Sequence, residues 1–270
     1  MKGDSLVQVP SSGAGAPAPA WVLTPRPNTR ATLRLFCFPY AGVGPSVYRP
    51  WLAALPPHIE AKVIQLPGRE GRWREPALTS LAEIADHVAR AIIPHLQSPF
   101  VFYGHSLGAL TSFEVTRRLR AAGHPLPRHL FLGAHRGPQL PNPHSAIAHL
   151  ADAEFIAEVR KRYDGIPQAV LENPELLELM LPCLRADFNA FESYEYRSAP
   201  PLDIPISAFG GDQDNYVRTH EIAGWRDQTT GRFRMRVIPG NHFFMQTGRD
   251  QVIAGVVDDL SMASAPVAAS

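Results

Sequence analysis

The stretch Pro99-Phe100-Val101-Phe102-Tyr103-Gly104-His105-Ser106-Leu107-Gly108 decides the fold of this chain. It begins as an apolar run typical of a short buried strand, and apolar residues at helical spacing follow from Leu107 to about Ala122. The segment Gly104–Gly108 therefore matches G-x-S-x-G at a turn from a strand into a helix. Because a serine on so tight a turn is strained and closely packed, a glycine two residues away on either side relieves the clash. The pattern predicts that Ser106 is a nucleophile.

A serine hydroxyl is a poor nucleophile at neutral pH and needs a base within hydrogen-bond reach. In the fold that carries this turn, an acid and then a histidine follow the serine along the chain, each in a loop after a strand. His242 follows a predicted strand at 233–238, and we expect it to be the base. Asp212 and Asp214 both follow a predicted strand at 204–210. We favour Asp214 because it lies further out along the loop, where it could reach the imidazole. Asp212 is closer to the end of the strand and could instead brace the turn.

Two backbone N–H groups are candidates for stabilising an oxyanion. Leu107 begins the helix after the nucleophile, so its N–H lies beside the developing negative charge. The second donor should come from the loop after the first long strand, Pro39–Gly44, where glycines let the backbone approach a substrate carbonyl. We expect that donor to be the N–H of Ala41.

Short apolar runs alternate with helical patterns along most of the chain. Predicted strands cover 33–38, 61–66, 99–103, 129–133, 204–210 and 233–238, and predicted helices include 81–92, 107–122 and 246–260. This alternation favours an α/β fold whose mostly parallel central sheet is covered by helices on both faces. From Pro138 to Pro201 the pattern is helical only, over 152–163 and over 174–196 with an interruption at Pro182. We expect this segment to be an inserted helical lid.

The bulk composition excludes several classes of function. The net charge is +1, so no global electrostatic attraction to nucleic acid or an anionic membrane is expected. Two cysteines cannot form a disulfide framework, and with no secretory signal this favours a cytoplasmic protein. No metal-binding or phosphate-loop spacing occurs, so neither metal nor cofactor is predicted. Nothing in the sequence demands more than a monomer.

One domain is expected over residues 31–260. Residues 1–30 contain a Pro/Ala-rich stretch without apolar periodicity and are interpreted as a flexible leader, and residues 261–270 as a flexible tail. The mixed-charge run Gly68–Glu75 is typical of a solvated loop, although its three arginines could meet an acidic partner.

The chain resembles the type II, or editing, thioesterases of polyketide and nonribosomal peptide synthetases, which belong to the α/β-hydrolase superfamily. The likeness runs over most of residues 33–260 and rests on separated blocks, of which P-G-R-E and L-R-A-D-F are more specific than the nucleophile turn. These blocks are Leu35–Gly42, Leu66–Glu70, Gly104–Ala109, Leu184–Phe188, Gly211–Asp214 and Gly240–Phe244.

The resemblance implies hydrolysis of acyl groups from the phosphopantetheine arm of an acyl carrier or peptidyl carrier protein. It also carries over Ser106, Asp214 and His242 as a triad, Ala41 and Leu107 as oxyanion donors, and residues 138–201 as a mobile lid over the acyl channel. This chain departs from the family pattern at Tyr40 and Val43, where His and Gly are usual, and at Asn241, where Gly is usual. A carboxylesterase, a lipase or an acyltransferase would use the same triad.

Overall fold

A computed structural model describes residues 20–163 and 172–263, and its framework is one seven-stranded sheet. In chain order the strands are β1 Val22–Leu23, β2 Leu33–Phe38, β3 Ile59–Ile64, β4 Phe100–His105, β5 Leu130–Gly133, β6 Ile206–Gly211 and β7 Phe233–Ile238. The order across the sheet is β1-β3-β2-β4-β5-β6-β7. Every neighbouring pair from β3 to β7 is parallel, and β1 pairs with β3 antiparallel. The predicted α/β fold with a mostly parallel sheet is confirmed.

Helices flank the sheet on both sides. They are α1 Trp51–Ala54, α2 Leu81–Ile92, α3 Leu107–Ala121, α4 Asp152–Tyr163, α5 Pro174–Glu192, α6 Thr219–Ile222, α7 Phe244–Thr247 and α8 Arg249–Ala263. Ser80 caps α2 by accepting a hydrogen bond from the N–H of Glu83 at 3.4 Å. One buried cluster lies between the sheet and the α2–α3 face, and a second lies between the sheet and α8. The strands β3, β4, β5 and β6 are therefore buried on both faces, as is usual for parallel strands, whereas the edge strand β7 is partly exposed.

The central position of β4 determines where the chemistry lies. β4 has β2 on one side and β5 on the other, and its last residue is followed directly by Ser106. In open parallel sheets, ligands bind beyond the carboxyl ends of the strands, where the loops from neighbouring strands meet. Ser106, the loop after β2 and the loops after β6 and β7 all emerge at this edge.

Three expectations about element boundaries are wrong. Val22–Leu23 form a strand where a leader without regular structure was expected, because this segment supplies an antiparallel partner for the edge of β3. The helix expected over 246–260 is two helices that meet at Gly248, where a Cβ atom would lie 2.5 Å from Ile238 Cγ2. The second of these helices extends to Ala263, so it includes the first residues of the expected tail.

The helical insertion between β5 and β6 contains α4 and α5 and no strand among its described residues, 138–163 and 172–201. The helix α5 continues through Pro182, so the expected interruption there is wrong. Residues 1–19, 164–171 and 264–270 lie outside the described residues, and with them most of the expected leader, part of the expected lid and most of the expected tail. Within the described residues, no helix has the length and apolarity needed to span a membrane.

Candidate active site

Ser106 occupies a strained turn between β4 and α3. Its backbone has φ 54° and ψ −118°, a conformation that L-residues rarely adopt. The two glycines of the motif have a direct steric explanation. A Cβ atom at Gly104 would lie 2.2 Å from the carbonyl oxygen of Gly108, and one at Gly108 would lie 2.1 Å from that of Phe38. The turn can close only because both positions lack a side chain.

His242 joins Ser106 to Asp214 in one chain of hydrogen bonds. The imidazole Nε2 lies 3.0 Å from Ser106 Oγ, and Nδ1 lies 2.8 Å from Asp214 Oδ2. His242 and Asp214 are both buried, so water competes little for these contacts. Because a carboxylate only accepts, the Nδ1 atom carries a proton and Nε2 is free to take the proton of the serine hydroxyl. The structure thus brings together the three residues that the sequence predicts, in the order nucleophile, base and acid.

Asp214 is held as a carboxylate by its own loop. Its Oδ1 atom accepts hydrogen bonds from the N–H groups of Tyr216 at 2.8 Å and Val217 at 3.0 Å, which leaves Oδ2 for His242. Burial by itself would raise the pKa of this carboxyl group. The hydrogen bonds from His242 and from the two backbone N–H groups outweigh burial and lower the pKa below its usual value.

Asp212 has a different task. Its Oδ1 atom accepts a hydrogen bond of 2.8 Å from the N–H of Gly240, which lies two residues before His242. Asp212 therefore braces the turn that carries the histidine, and of the two competing aspartates only Asp214 contacts the imidazole.

His105 braces the backbone of His242. Its Nε2 atom lies 2.7 Å from the carbonyl oxygen of His242, and its Nδ1 atom lies 3.4 Å from the hydroxyl of Tyr103. Because a carbonyl oxygen only accepts, Nε2 must carry the proton. Burial, with a smaller contribution from the nearby His242, lowers the pKa of His105 to about 3, so the ring is neutral at pH 7.

The two expected oxyanion donors adjoin the nucleophile. Ala41 and Leu107 line the same small cavity as Ser106 and His242. The hydrogen bonds within residues 20–163 and 172–263 include none donated by the N–H of Ala41 or of Leu107. Both N–H groups are thus available to a substrate oxygen.

The cavity above Ser106 is small and mostly apolar, with a volume of about 40 Å³. Its outer wall comes from α4 and α5, within the segment expected to form a lid, and consists of Val159, Tyr163, Leu184, Phe188 and Phe191. Leu184 and Phe188 are the first and last residues of the L-R-A-D-F block, and no sequence motif marks the other three. Larger surface clefts exist, such as one of about 940 Å³ along α4, but that cleft contains none of the three hydrogen-bonded residues.

Two of the departures from the family pattern have local explanations. Tyr40 packs its ring against Phe243, with centroids 5.0 Å apart, and its hydroxyl accepts a hydrogen bond from Gln246. The Oδ1 atom of Asn241 accepts a 3.0 Å hydrogen bond from the N–H of Phe243 and so stabilises the turn at His242. Both residues thus contact Phe243, which lines the cavity.

The mixed-charge run Gly68–Glu75 carries less free positive charge than its three arginines suggest. Arg69 is buried in an ion pair, and Arg72 is buried with its guanidinium bonded to Glu75 at 2.6 and 2.9 Å. Arg74 is exposed, and its guanidinium lies over the ring of Trp73. Only this one of the three arginines is free to meet an acidic partner.

Comparisons with known proteins identify relatives over most of the chain. The model of the family described as Thioesterase domain matches residues 33–260. Gramicidin S biosynthesis protein GrsT of Aneurinibacillus migulanus is 41% identical over 246 residues, which make up 91% of this chain and 96% of that protein. Thioesterase PikA5 of Streptomyces venezuelae is 36% identical over 241 residues, or 89% of this chain and 85% of that protein. The solved structure of the RedJ thioesterase from the prodiginine pathway of Streptomyces coelicolor superimposes with a TM-score of 0.80 at 35% identity, covering 87% of this chain and 92% of that one.

Proposed function

Because the chain belongs to the thioesterase family and is a thioester hydrolase, we propose that it releases acyl groups from the phosphopantetheine arm of carrier proteins. The carrier would serve a polyketide or nonribosomal peptide synthetase, where removal of stalled or wrong acyl groups restores the free thiol. Relatives with 35–41% identity are named for gramicidin S and prodiginine biosynthesis, which supports this assignment.

The observation that carries the mechanism is the hydrogen-bond chain from Ser106 Oγ through His242 to Asp214, at 3.0 and 2.8 Å. In the first half-reaction, His242 takes the hydroxyl proton while Ser106 Oγ attacks the thioester carbonyl. The N–H groups of Leu107 and Ala41 stabilise the oxyanion. As the carbon–sulfur bond breaks, the proton passes from His242 to the leaving thiolate, and an acyl ester of Ser106 remains.

Water completes the cycle. His242 takes a proton from the water molecule as its oxygen attacks the acyl ester, and returns that proton to Ser106 as the ester bond breaks. The products are the free carboxylic acid and the regenerated serine. Asp214 stays ionised throughout and stabilises the imidazolium that forms twice.

The cavity also supports a role for residues 138–201 as a lid over the acyl channel. A volume of about 40 Å³ is roughly that of one or two water molecules, so it holds only the shortest acyl groups. A longer chain needs α4 and α5 to move, because Phe188 and Tyr163 on these helices fill the space above Ser106.

The test compares acetyl and octanoyl groups, each offered on an acyl carrier protein and on N-acetylcysteamine, with wild type and Ser106→Ala. Faster release from the carrier protein, lost in the variant by a factor on the order of a million, is the expected result. Ser112→Ala is a matched control, because Ser112 is a buried serine of α3 whose hydroxyl donates to the carbonyl oxygen of Ala109 and does not line the cavity with Ser106.

Other outcomes would contradict separate parts of the proposal. Ser106-dependent hydrolysis of simple esters without preference for the carrier would remove the proposed partner and leave a carboxylesterase. Acyl transfer to an acceptor other than water, seen as an ester or lactone product, would identify an acyltransferase. Full activity of Ser106→Ala would disprove the serine mechanism.

A further inference from the structure

A buried ion pair connects the helical insertion to the loop after β3. The guanidinium of Arg69 donates two hydrogen bonds to the carboxylate of Asp187, at 2.6 Å to Oδ2 and 2.9 Å to Oδ1. Asp187 lies on α5 and is fully buried, and Arg69 is 6% exposed. The two residues are 118 positions apart, one in each of the sequence blocks P-G-R-E and L-R-A-D-F.

The same pair holds the loop that follows β2. Asp187 Oδ2 accepts a 2.7 Å hydrogen bond from the N–H of Gly42, and Arg69 Nη1 donates to the carbonyl oxygen of Val43 at 3.4 Å. The Ala41–Gly42 and Val43–Gly44 peptide groups are thus each bonded to one of two opposite charges. Ala41, which lines the cavity together with Ser106, is the preceding residue.

Glu70 fixes the far end of this loop. Its carboxylate accepts hydrogen bonds from the hydroxyl of Ser46 at 2.6 Å and from the N–H of Ser46 at 3.1 and 3.3 Å. The side chain of Glu70 also fills the space beside Gly44, where a Cβ atom would lie 2.5 Å from Glu70 Cδ. Arg69 and Glu70 therefore act on two neighbouring points of one loop.

Packing at Gly42 joins this loop to α5 independently of the charges. Gly42 has φ 79°, and a Cβ atom there would lie 2.5 Å from Leu184 Cδ1. Leu184 lies one helical turn before Asp187, so α5 contacts Gly42 through an apolar side chain and a carboxylate together. Any displacement of α5 must break both contacts.

Stability alone does not explain such an ion pair. Burying two charges costs about as much as their attraction returns, and apolar residues of similar volume often stabilise a core equally well. The carboxylate has a second partner in the N–H of Gly42, which no apolar residue could satisfy. This hydrogen bond indicates that the ion pair positions the loop after β2.

We propose that Asp187 is a positioning residue that couples α5 to the loop presenting the N–H of Ala41, so that the oxyanion donor is in place only while α5 is docked. Arg69 is its partner, fixing the carboxylate of Asp187 and the carbonyl of Val43. The inference rests on the proposed function only in giving the N–H of Ala41 its role as an oxyanion donor. It makes the position of the helical insertion a condition for catalysis.

The decisive comparison is between a single and a double variant. Asp187→Ala leaves Arg69 buried without its partner, so both the melting temperature and kcat should fall. The double variant Arg69→Met, Asp187→Leu removes both charges, and much of the melting temperature should return. Its kcat for acetyl-N-acetylcysteamine should stay on the order of 10- to 100-fold below wild type, with KM changed far less, because Gly42 still lacks its acceptor.

Asp259→Ala is the matched control. Asp259 is also buried and bonded to two arginines, Arg234 and Arg236, but it lies on α8 away from Ser106. This variant should lose melting temperature without a selective loss of kcat. A second measurement is the rate at which an alkyl fluorophosphonate labels Ser106, since its phosphoryl oxygen needs the same N–H donors. Labelling should be slowed in both Asp187 variants and unchanged in Asp259→Ala.

Two results would overturn the inference. One is recovery of kcat together with melting temperature in the double variant, which would reduce Asp187 to a stabilising residue. The other is equal loss of kcat in Asp187→Ala and Asp259→Ala. If wild type hydrolysed no thioester, the proposed function would fail, yet the labelling rates would still test the coupling.

Discussion

The Nε2 atom of His105 donates a 2.7 Å hydrogen bond to the carbonyl oxygen of His242, so the residue before the nucleophile holds the backbone of the base. This contact links the β4–α3 turn directly to the loop after β7. It allows the position of His242 to be set from two sides, by His105 at its carbonyl and by Asp214 at its ring.

Replacing His105 should therefore impair catalysis more than binding. We expect His105→Ala to lower kcat by about tenfold or more with little change in KM, because the imidazole of His242 loses a fixed position. His105→Gln can still offer a donor and should recover part of the rate. Steady-state kinetics of both variants on a short acyl thioester provide the measurement, and equal kcat in wild type and His105→Ala would contradict the bracing role.

Substitutions of the two aspartates in the loop after β6 should have clearly different effects on kcat. Asp214→Asn is expected to lower kcat by about 10⁴-fold, because the amide cannot hold His242 in the productive tautomer. Asp212→Asn should keep activity to within about tenfold, since it affects only the turn at Gly240. If Asp212→Asn proved the more damaging change, the assignment of Asp214 as the orienting acid would be wrong.

Enlarging the cavity should change the preference for acyl length. Phe188 on α5 lines the space above Ser106, so Phe188→Ala should raise kcat/KM for octanoyl relative to acetyl thioesters. The variant should also lose about 3–5 kcal/mol of unfolding free energy. Phe113→Ala is the control, because Phe113 is also buried but packs against Trp225 outside the cavity. A shift in preference in both variants would mean that loosening of the fold, rather than cavity shape, is responsible.

A buried histidine outside the site should contribute to loss of stability in acid. Burial lowers the pKa of His129 to about 4, and its Nε2 atom lies 2.8 Å from Ser207 Oγ. Between the usual histidine pKa, about 6.5, and pH 4, the unfolded chain binds a proton that the folded chain refuses, so stability falls as the pH falls. The contribution of neutral His129 to the free energy of unfolding is therefore fully present above about pH 6.5.

His129→Gln does not titrate at this position. The variant should therefore lose less unfolding free energy between pH 6 and pH 4.5, by up to about 1.4 kcal/mol per pH unit. Urea unfolding of wild type and variant across this range measures the two slopes. Parallel slopes would show that His129 takes up a proton as readily in the folded chain as in the unfolded one.

Local sequence patterns were sufficient to predict the nucleophile turn, the base and most strands of the sheet. Strand-to-helix turns with glycine two residues either side of a serine are defined by short-range sterics, and the contacts of Gly104 and Gly108 are of this kind. The central parallel strands β4 and β5 likewise show as apolar runs, because both of their faces are buried. Even the choice between Asp212 and Asp214 followed from position along one loop.

Contacts between segments that are distant in the chain could not be predicted from these local patterns. The pairing of β1 with β3 depends on an unpaired edge that exists only once the sheet has formed. The continuity of α5 through Pro182 depends on its packing, since helix propensity by itself opposes proline there.

The sequence by itself thus determined which three residues form the hydrogen-bonded chain Ser106–His242–Asp214, because a nucleophile, a base and an acid are specified by residue type and by their order after strands. Only the tertiary structure decided what surrounds them. The cavity wall from α4 and α5, and the bond from Gly42 to Asp187, join residues far apart in the chain. Such contacts leave no periodic trace in the sequence, since each depends on how two whole elements pack against one another.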